Sequence, residues 1–241
     1  MKAILYIGHG TRSRKGAEEA NAFVGRVMEK VDVPIQELCF LELTEPSIEI
    51  GFARCIKNGA AEIIAVPMFL LAAGHIKKDI PEILTKLQSQ YPNVTVTMRD
   101  PFGVQEKILE AMAELVEELT GKLESEDRIL IVGRGSSDTE IQSSFGVITR
   151  GIQQLLGVRA VSVCYLAAAS PNLQEGLEQI SRGASGKIIV VPYLLFPGLL
   201  TAEVNHEVKR LQRQGVSIFH TGPLCHHRAI EDIVIDRATG K

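Results

Sequence analysis

The stretch "ILYIGHGTRS" (residues 4–13) is apolar until a glycine, a histidine and a second glycine interrupt it. The same scaffold returns as "ILIVGRGSSD" (residues 129–138), an offset of 125 positions, with Arg134 where His9 stood. Two more blocks keep that offset. "LCFLELTEPSIEIG" (38–51) matches "VCYLAAASPNLQEG" (163–176), and "EIIAVPMFLL" (62–71) matches "KIIVVPYLLF" (187–196). A constant offset across three separated blocks marks duplication of a whole unit.

Within the first unit, β-rich runs at 3–7, 35–41, 62–70 and 94–99 alternate with helical patterns at 15–30, 46–58, 76–90 and 104–119. Pro46 suits a first helical turn and Gly59 a helix stop. Nearly continuous apolar strands such as residues 62–71 are those of strands buried on both faces, which requires a parallel sheet with helices on each side. The expected fold class is therefore α/β, as two duplicated flavodoxin-like parallel-sheet domains facing each other across a cleft. The polar stretch "TGKLESEDR" (120–128) is the expected linker, giving an N-terminal domain over 1–122 and a C-terminal domain over 123–241.

Composition narrows the function. A hydrophobic fraction of 45% provides for a real core, and a net charge of −3 offers no global basic field for nucleic acid or acidic lipid. No apolar run approaches the ~20 residues that span a bilayer. Cys39, Cys55, Cys164 and Cys225 form no C-x-x-C pair, so neither a thiolate zinc site, nor an Fe–S cluster, nor a disulfide framework is expected. A reduced cytoplasmic protein is the default. There is no G-x-x-x-x-G-K-[ST] loop and no G-x-S-x-G elbow, and "GHGTRSRKG" departs from the dinucleotide fingerprint.

Duplication separates what folding needs from what chemistry needs. Both glycines, Pro46/Pro171, Pro67/Pro192 and Cys39/Cys164 occur in both units and are read as structural. Three polar groups occur only in the first. His9 is matched by Arg134, Glu42 by Ala167, and His75 by Leu199 when Gly74 is aligned with Gly198. Each follows or ends a strand, where open α/β sheets bind ligands. If the first strand lies between the second and third, the three emerge from neighbours ~5 Å apart. Two imidazoles and a carboxylate suit a divalent first-row metal with positions left open for a substrate. His206, His220, His226 and His227 are read as surface or hydrogen-bonded residues, the adjacent 226/227 pair as a helix start.

On "YIGHGTRS", "FLELTEPSIEIGFARCIKNGA", "VPMFLLAAGHIKKDIP", "GRGSSD" and "VPYLLF", the chain closely resembles the sirohydrochlorin chelatases of the CbiX/SirB type, nearly end to end. The resemblance implies an ATP-independent lyase that inserts Fe²⁺ into sirohydrochlorin to give sirohaem, or Co²⁺ towards cobalamin. It carries metal handling and catalysis onto His9, Glu42 and His75. The metal is a substrate rather than a resident cofactor, and the tetrapyrrole is the only partner implied, with a monomer expected. Because sirohydrochlorin bears eight carboxylates, cationic and hydroxyl groups are expected to grip it: Arg12, Ser13, Arg134, Ser136 and Ser137. A structural ion pair is the alternative role for Arg134. The chain ends "IVIDRATGK" without the histidine-rich tail or Fe–S cysteines of many long cobalt-type relatives, which favours iron. Two rivals stand beside this reading. One is a two-lobed tetrapyrrole or anion carrier without activity; the other is a metal-dependent hydrolase or non-haem Fe(II) oxygenase using the same triad.

Overall fold

The structure, a computed structural model, describes residues 1–240. The first seven elements are β1 (Lys2–Gly8), α1 (Arg14–Met28), β2 (Ile35–Phe40), α2 (Ile48–Lys57), β3 (Glu62–Pro67), α3 (Ile80–Gln90) and β4 (Thr95–Met98). Then follow α4 (Glu106–Thr120), β5 (Arg128–Gly133), α5 (Thr139–Leu156), β6 (Ala160–Tyr165), α6 (Leu173–Ser181), β7 (Ile188–Pro192), α7 (Leu199–Arg213), β8 (Ile218–His220) and α8 (Arg228–Thr239). The strands form two parallel sheets, ordered β2-β1-β3-β4 and β6-β5-β7-β8. This is the flavodoxin-type order one strand short, repeated, so the α/β class and the duplication read from the sequence both hold.

The chain forms two compact units: Met1–Gly103 with Glu231–Lys241, and Val104–Ile230. The sequence repeat cut at 122/123 and the packing therefore differ by two helices. α4 belongs with the second unit, where Leu109 fills the space left by Gly151 on α5; a Cβ there would come within 2.5 Å of the leucine. The expected linker at 120–128 is not loose. Asp127 is buried and accepts the Lys187 and Glu124 N–H groups at 2.7 and 2.9 Å.

Shared residues do matching work in the two units. Gly51 and Gly176 let α2 and α6 press onto Cys39 and Cys164; an added Cβ would stand 2.8 and 2.4 Å from the cysteine Cβ. Both cysteines are buried, and burial pushes both thiols up, that of Cys164 to about 12, so they pack as neutral apolar groups. Phe40 N–H reaches Pro46 O, and Tyr165 N–H reaches Pro171 O, each at 2.9 Å. Pro46 is not in the first helical turn as its position suggested. Ser47 is the N-cap, its hydroxyl accepting Ile50 N–H, and this places the helix start at Ile48. β3 also ends earlier than the apolar run implied, at Pro67, because residues 68–71 leave the sheet as a loop.

α8 is fastened to the first unit by charge. Glu231 is buried and accepts Arg26 Nε and Lys30 Nζ, both at 2.6 Å, while Arg237 donates to Pro101 and Phe102 carbonyls. Burial alone would raise the Glu231 carboxyl, but the bonds from Lys30 and Arg26 outweigh it and hold its pKa below the ordinary 4.5. A pKa lower in the folded than in the unfolded state contributes stability that is full above about pH 5 and lost as pH falls through the folded value. Glu231→Gln is therefore expected to lower stability at pH 7 by about 1–3 kcal/mol. In urea titrations its deficit relative to wild type should shrink as the pH falls through that range.

Candidate metal centre

β1 lies between β2 and β3, so the three carboxyl ends stand side by side, and the order of connection reverses there. His9 follows β1 directly, Glu42 stands two residues beyond β2, and His75 begins the turn leading into α3. Two loops are locked together beneath them. Leu41 N–H reaches Gly8 O at 2.9 Å and Glu42 N–H reaches His9 O at 3.0 Å. Gly10, at φ 95°, lies so close that a Cβ would stand 1.7 Å from the Glu42 carbonyl oxygen. Only glycine satisfies both demands. The second unit repeats the device: Ala167 N–H reaches Arg134 O at 2.8 Å, and a Cβ on Gly135 would stand 1.8 Å from Ala167 O.

On this base the three side chains converge. One ligand atom from each of His9, Glu42 and His75 lies within 4.8 Å of the others. His9 Nε2 is 3.5 Å from Glu42 Oε1, and the imidazole rings meet edge to face at 4.9 Å between centroids. Donors bound to one ion at ~2.0–2.2 Å are themselves roughly 3–4 Å apart. Small side-chain rotations bring these three to that spacing. All three are reachable from solvent, the side chains being 27%, 47% and 30% exposed in sequence order.

The rings are oriented by acceptors. His75 Nδ1 is 2.8 Å from Asp79 Oδ2, and His9 Nδ1 is 3.2 Å from Gly10 O. A carbonyl or carboxylate can only accept, so each Nδ1 carries a proton, which leaves Nε2 as the ring atom through which either histidine would ligate a metal. His75 and Asp79 bound a single π-helical turn (His75–Asp79), closed by Ile80 N–H on His75 O. Pro81 has no N–H for the Lys77 carbonyl, so the α-helical ladder is broken there and the wider turn is accommodated.

Sequence reasoning missed Asp79 and Thr44. The Thr44 hydroxyl accepts Thr11 N–H and donates to Thr11 O, both at 2.9 Å, tying the His9 loop to the Glu42 loop. Position 169, its counterpart, is Ala, so the one-unit-only test that found Glu42 also marks Thr44. For Asp79 the signal was the four-residue spacing from His75.

The expected substrate-gripping residues fall into two sets. Arg12 and Ser13 lie on the β1–α1 loop with His9; Ser13 caps α1, accepting Gly16 N–H at 3.2 Å. Arg134, Ser136 and Ser137 lie on the β5–α5 loop of the second unit, where Ser136 Oγ accepts Asp138 N–H at 3.1 Å. Arg134, Arg12 and Ser137 are exposed. Of the remaining histidines, His227 departs from the expected surface pair. It is half-buried, bonded to Glu114 at 2.8 Å, and accepts Ala229 N–H at the start of α8.

The duplicated fold recurs in known proteins. The CbiX family model matches residues 3–119 and 128–240, once for each sequence repeat, and the chain belongs to that family. It is 42% identical over 234 residues to a sirohydrochlorin ferrochelatase of Priestia megaterium, covering 97% of this chain and 88% of that one. A solved structure described as SirB from Bacillus subtilis with Fe³⁺ superposes with a TM-score of 0.87 at 34% identity, covering 99% and 94% of the two chains. The SirB of Bacillus subtilis subspecies spizizenii in complex with cobalt gives 0.85 at 33% identity, over 99% and 94%.

Asp79→Asn is expected to weaken Co²⁺ binding 10- to 100-fold, the usual loss when the carboxylate behind a ligating imidazole is removed. A visible-absorbance titration with Co²⁺ measures it, and far-UV circular dichroism should be unchanged because Asp79 is near the surface.

Proposed function

We propose that this protein inserts Fe²⁺ into sirohydrochlorin, without ATP, and that His9, Glu42 and His75 hold the metal and take part in its transfer. The observation that carries the reading is the convergence of these donors from three adjacent strand ends, in the unit that kept them, within a family whose similar members are named as chelatases. Insertion exchanges one metal ion for two pyrrole N–H protons. Neutral imidazole binds a borderline metal without the tenacity of thiolates, which lets the ion pass on. Near neutral pH an imidazole also accepts a proton. Glu42 supplies negative charge towards the dication.

The bound tetrapyrrole carries carboxylates, and the reading assigns Arg12, Ser13, Arg134, Ser136 and Ser137 to grip them. The Ser13 and Ser136 oxygens accept backbone N–H groups, which leaves their protons to donate. A cytoplasmic monomer belongs to the same proposal, and no disulfide links the four buried cysteines among the described residues. Cobalt insertion is the second reading, favoured by the similar chain that was solved with cobalt. The reading needs no metal retained between turnovers.

The test is anaerobic: sirohydrochlorin with Fe²⁺, and separately with Co²⁺, followed by absorbance. Wild type should exceed the spontaneous rate, faster with Fe²⁺. His9→Ala and His75→Ala should each lose at least 100-fold, on the scale of removing a group that acts in proton transfer. A spectral shift on binding with no gain in rate would make the protein a carrier instead. Equal loss of nothing in both variants would move the chemistry elsewhere in the chain.

A further inference from the structure

Leu43 follows Glu42 and has φ 62°, with half its surface, 50%, exposed. Thr44 N–H bonds to Glu42 O at 2.8 Å, so Leu43 stands at the apex of a three-residue turn of the rarer, strained hand. Bulky side chains avoid positive φ, and an exposed leucine gains nothing from the core. Both features disfavour the protein on its own.

The second unit separates the backbone's need from the side chain's. Ala168 occupies the matching position with φ 53°. The positive φ therefore belongs to the loop scaffold, and alanine suffices for it. The leucine is found only in the unit that carries the three ligands, directly beside one of them.

We propose that Leu43 is a substrate contact whose side chain packs on the face of the tetrapyrrole ring as the macrocycle meets His9, Glu42 and His75. The inference rests on the chelatase reading and deepens it. A conjugated tetrapyrrole carries its carboxylates at the edge, while its faces are apolar. Recognition of the ring thus requires an apolar group at the metal as well as cations at the rim. Phe69 is an apolar side chain beside the ligands, its ring 6.1 Å from that of His9 and 6.5 Å from that of His75. It also packs against the core, so its removal would disturb the fold; Leu43 does not.

The decisive variant is Leu43→Ala, which copies the residue the second unit already holds in this conformation. Its melting temperature should match or exceed wild type, and its Co²⁺ titration should be unchanged. Affinity for metal-free sirohydrochlorin, read by absorbance titration, should fall about tenfold, the worth of roughly half a leucine side chain removed from an apolar contact. KM for the tetrapyrrole should rise in parallel with little change in kcat. Leu43→Met should recover most of the affinity, whereas Leu43→Asn, which tolerates positive φ, should not. The proposal is overturned if Leu43→Ala binds sirohydrochlorin like wild type. It is also overturned if Co²⁺ and tetrapyrrole affinity fall together, because the leucine would then only hold Glu42. Failure of the chelatase reading looks different: wild type itself would not metallate sirohydrochlorin above the spontaneous rate.

Discussion

The site depends on one close approach, that of the Gly10 backbone to the Glu42 carbonyl. It sets the β1 loop against the β2 loop, and with it the separation of His9 from Glu42. The contact excludes any side chain at position 10 and requires positive φ there. Thr44 adds a two-way hydrogen bond across the same seam. Because the second unit retains the approach at Gly135 without the ligands, the contact is part of the fold, and the chemistry was either built on it or lost from it.

This accounts for the Gly-x-Gly scaffold surviving twice while the residue between the glycines differs. Gly8 and Gly133 lie against aromatic rings, Phe40 and Phe145, with no space for a Cβ. Gly10 and Gly135 lie against carbonyls. The position between them, His9 or Arg134, has its backbone oxygen fixed alike in both units, where it accepts the N–H of residue 42 or 167. Its side chain is left to function. The same division applies at 43 and 168, where the backbone is common and the side chain is not.

Much of this was legible in the sequence because duplication is an internal control. The parallel sheets followed from the continuous apolar strands, and His9, Glu42 and His75 stood out through the constant offset and the strand ends. Their convergence was conditional on β1 lying between β2 and β3, which the sheet order supplies. What escaped was of two kinds. Helix exchange was hidden because α4 and α8 are amphipathic segments whose partners lie far along the chain, and no local pattern says which sheet each will cover. The orienting groups escaped because they act through geometry. Asp79 reaches His75 only where a π turn is permitted by Pro81, and Thr44 matters through its backbone partners rather than through any motif.

The central claim is that two imidazoles and a carboxylate of the first unit hold the metal to be inserted. X-ray absorption of the Co²⁺-loaded protein tests it most directly. The account predicts nitrogen and oxygen ligands at ~2.0–2.2 Å with the outer-shell scattering of two imidazoles, one of which disappears in each of His9→Ala and His75→Ala. A cobalt shell without imidazole, or one unchanged when both histidines are replaced, would contradict it.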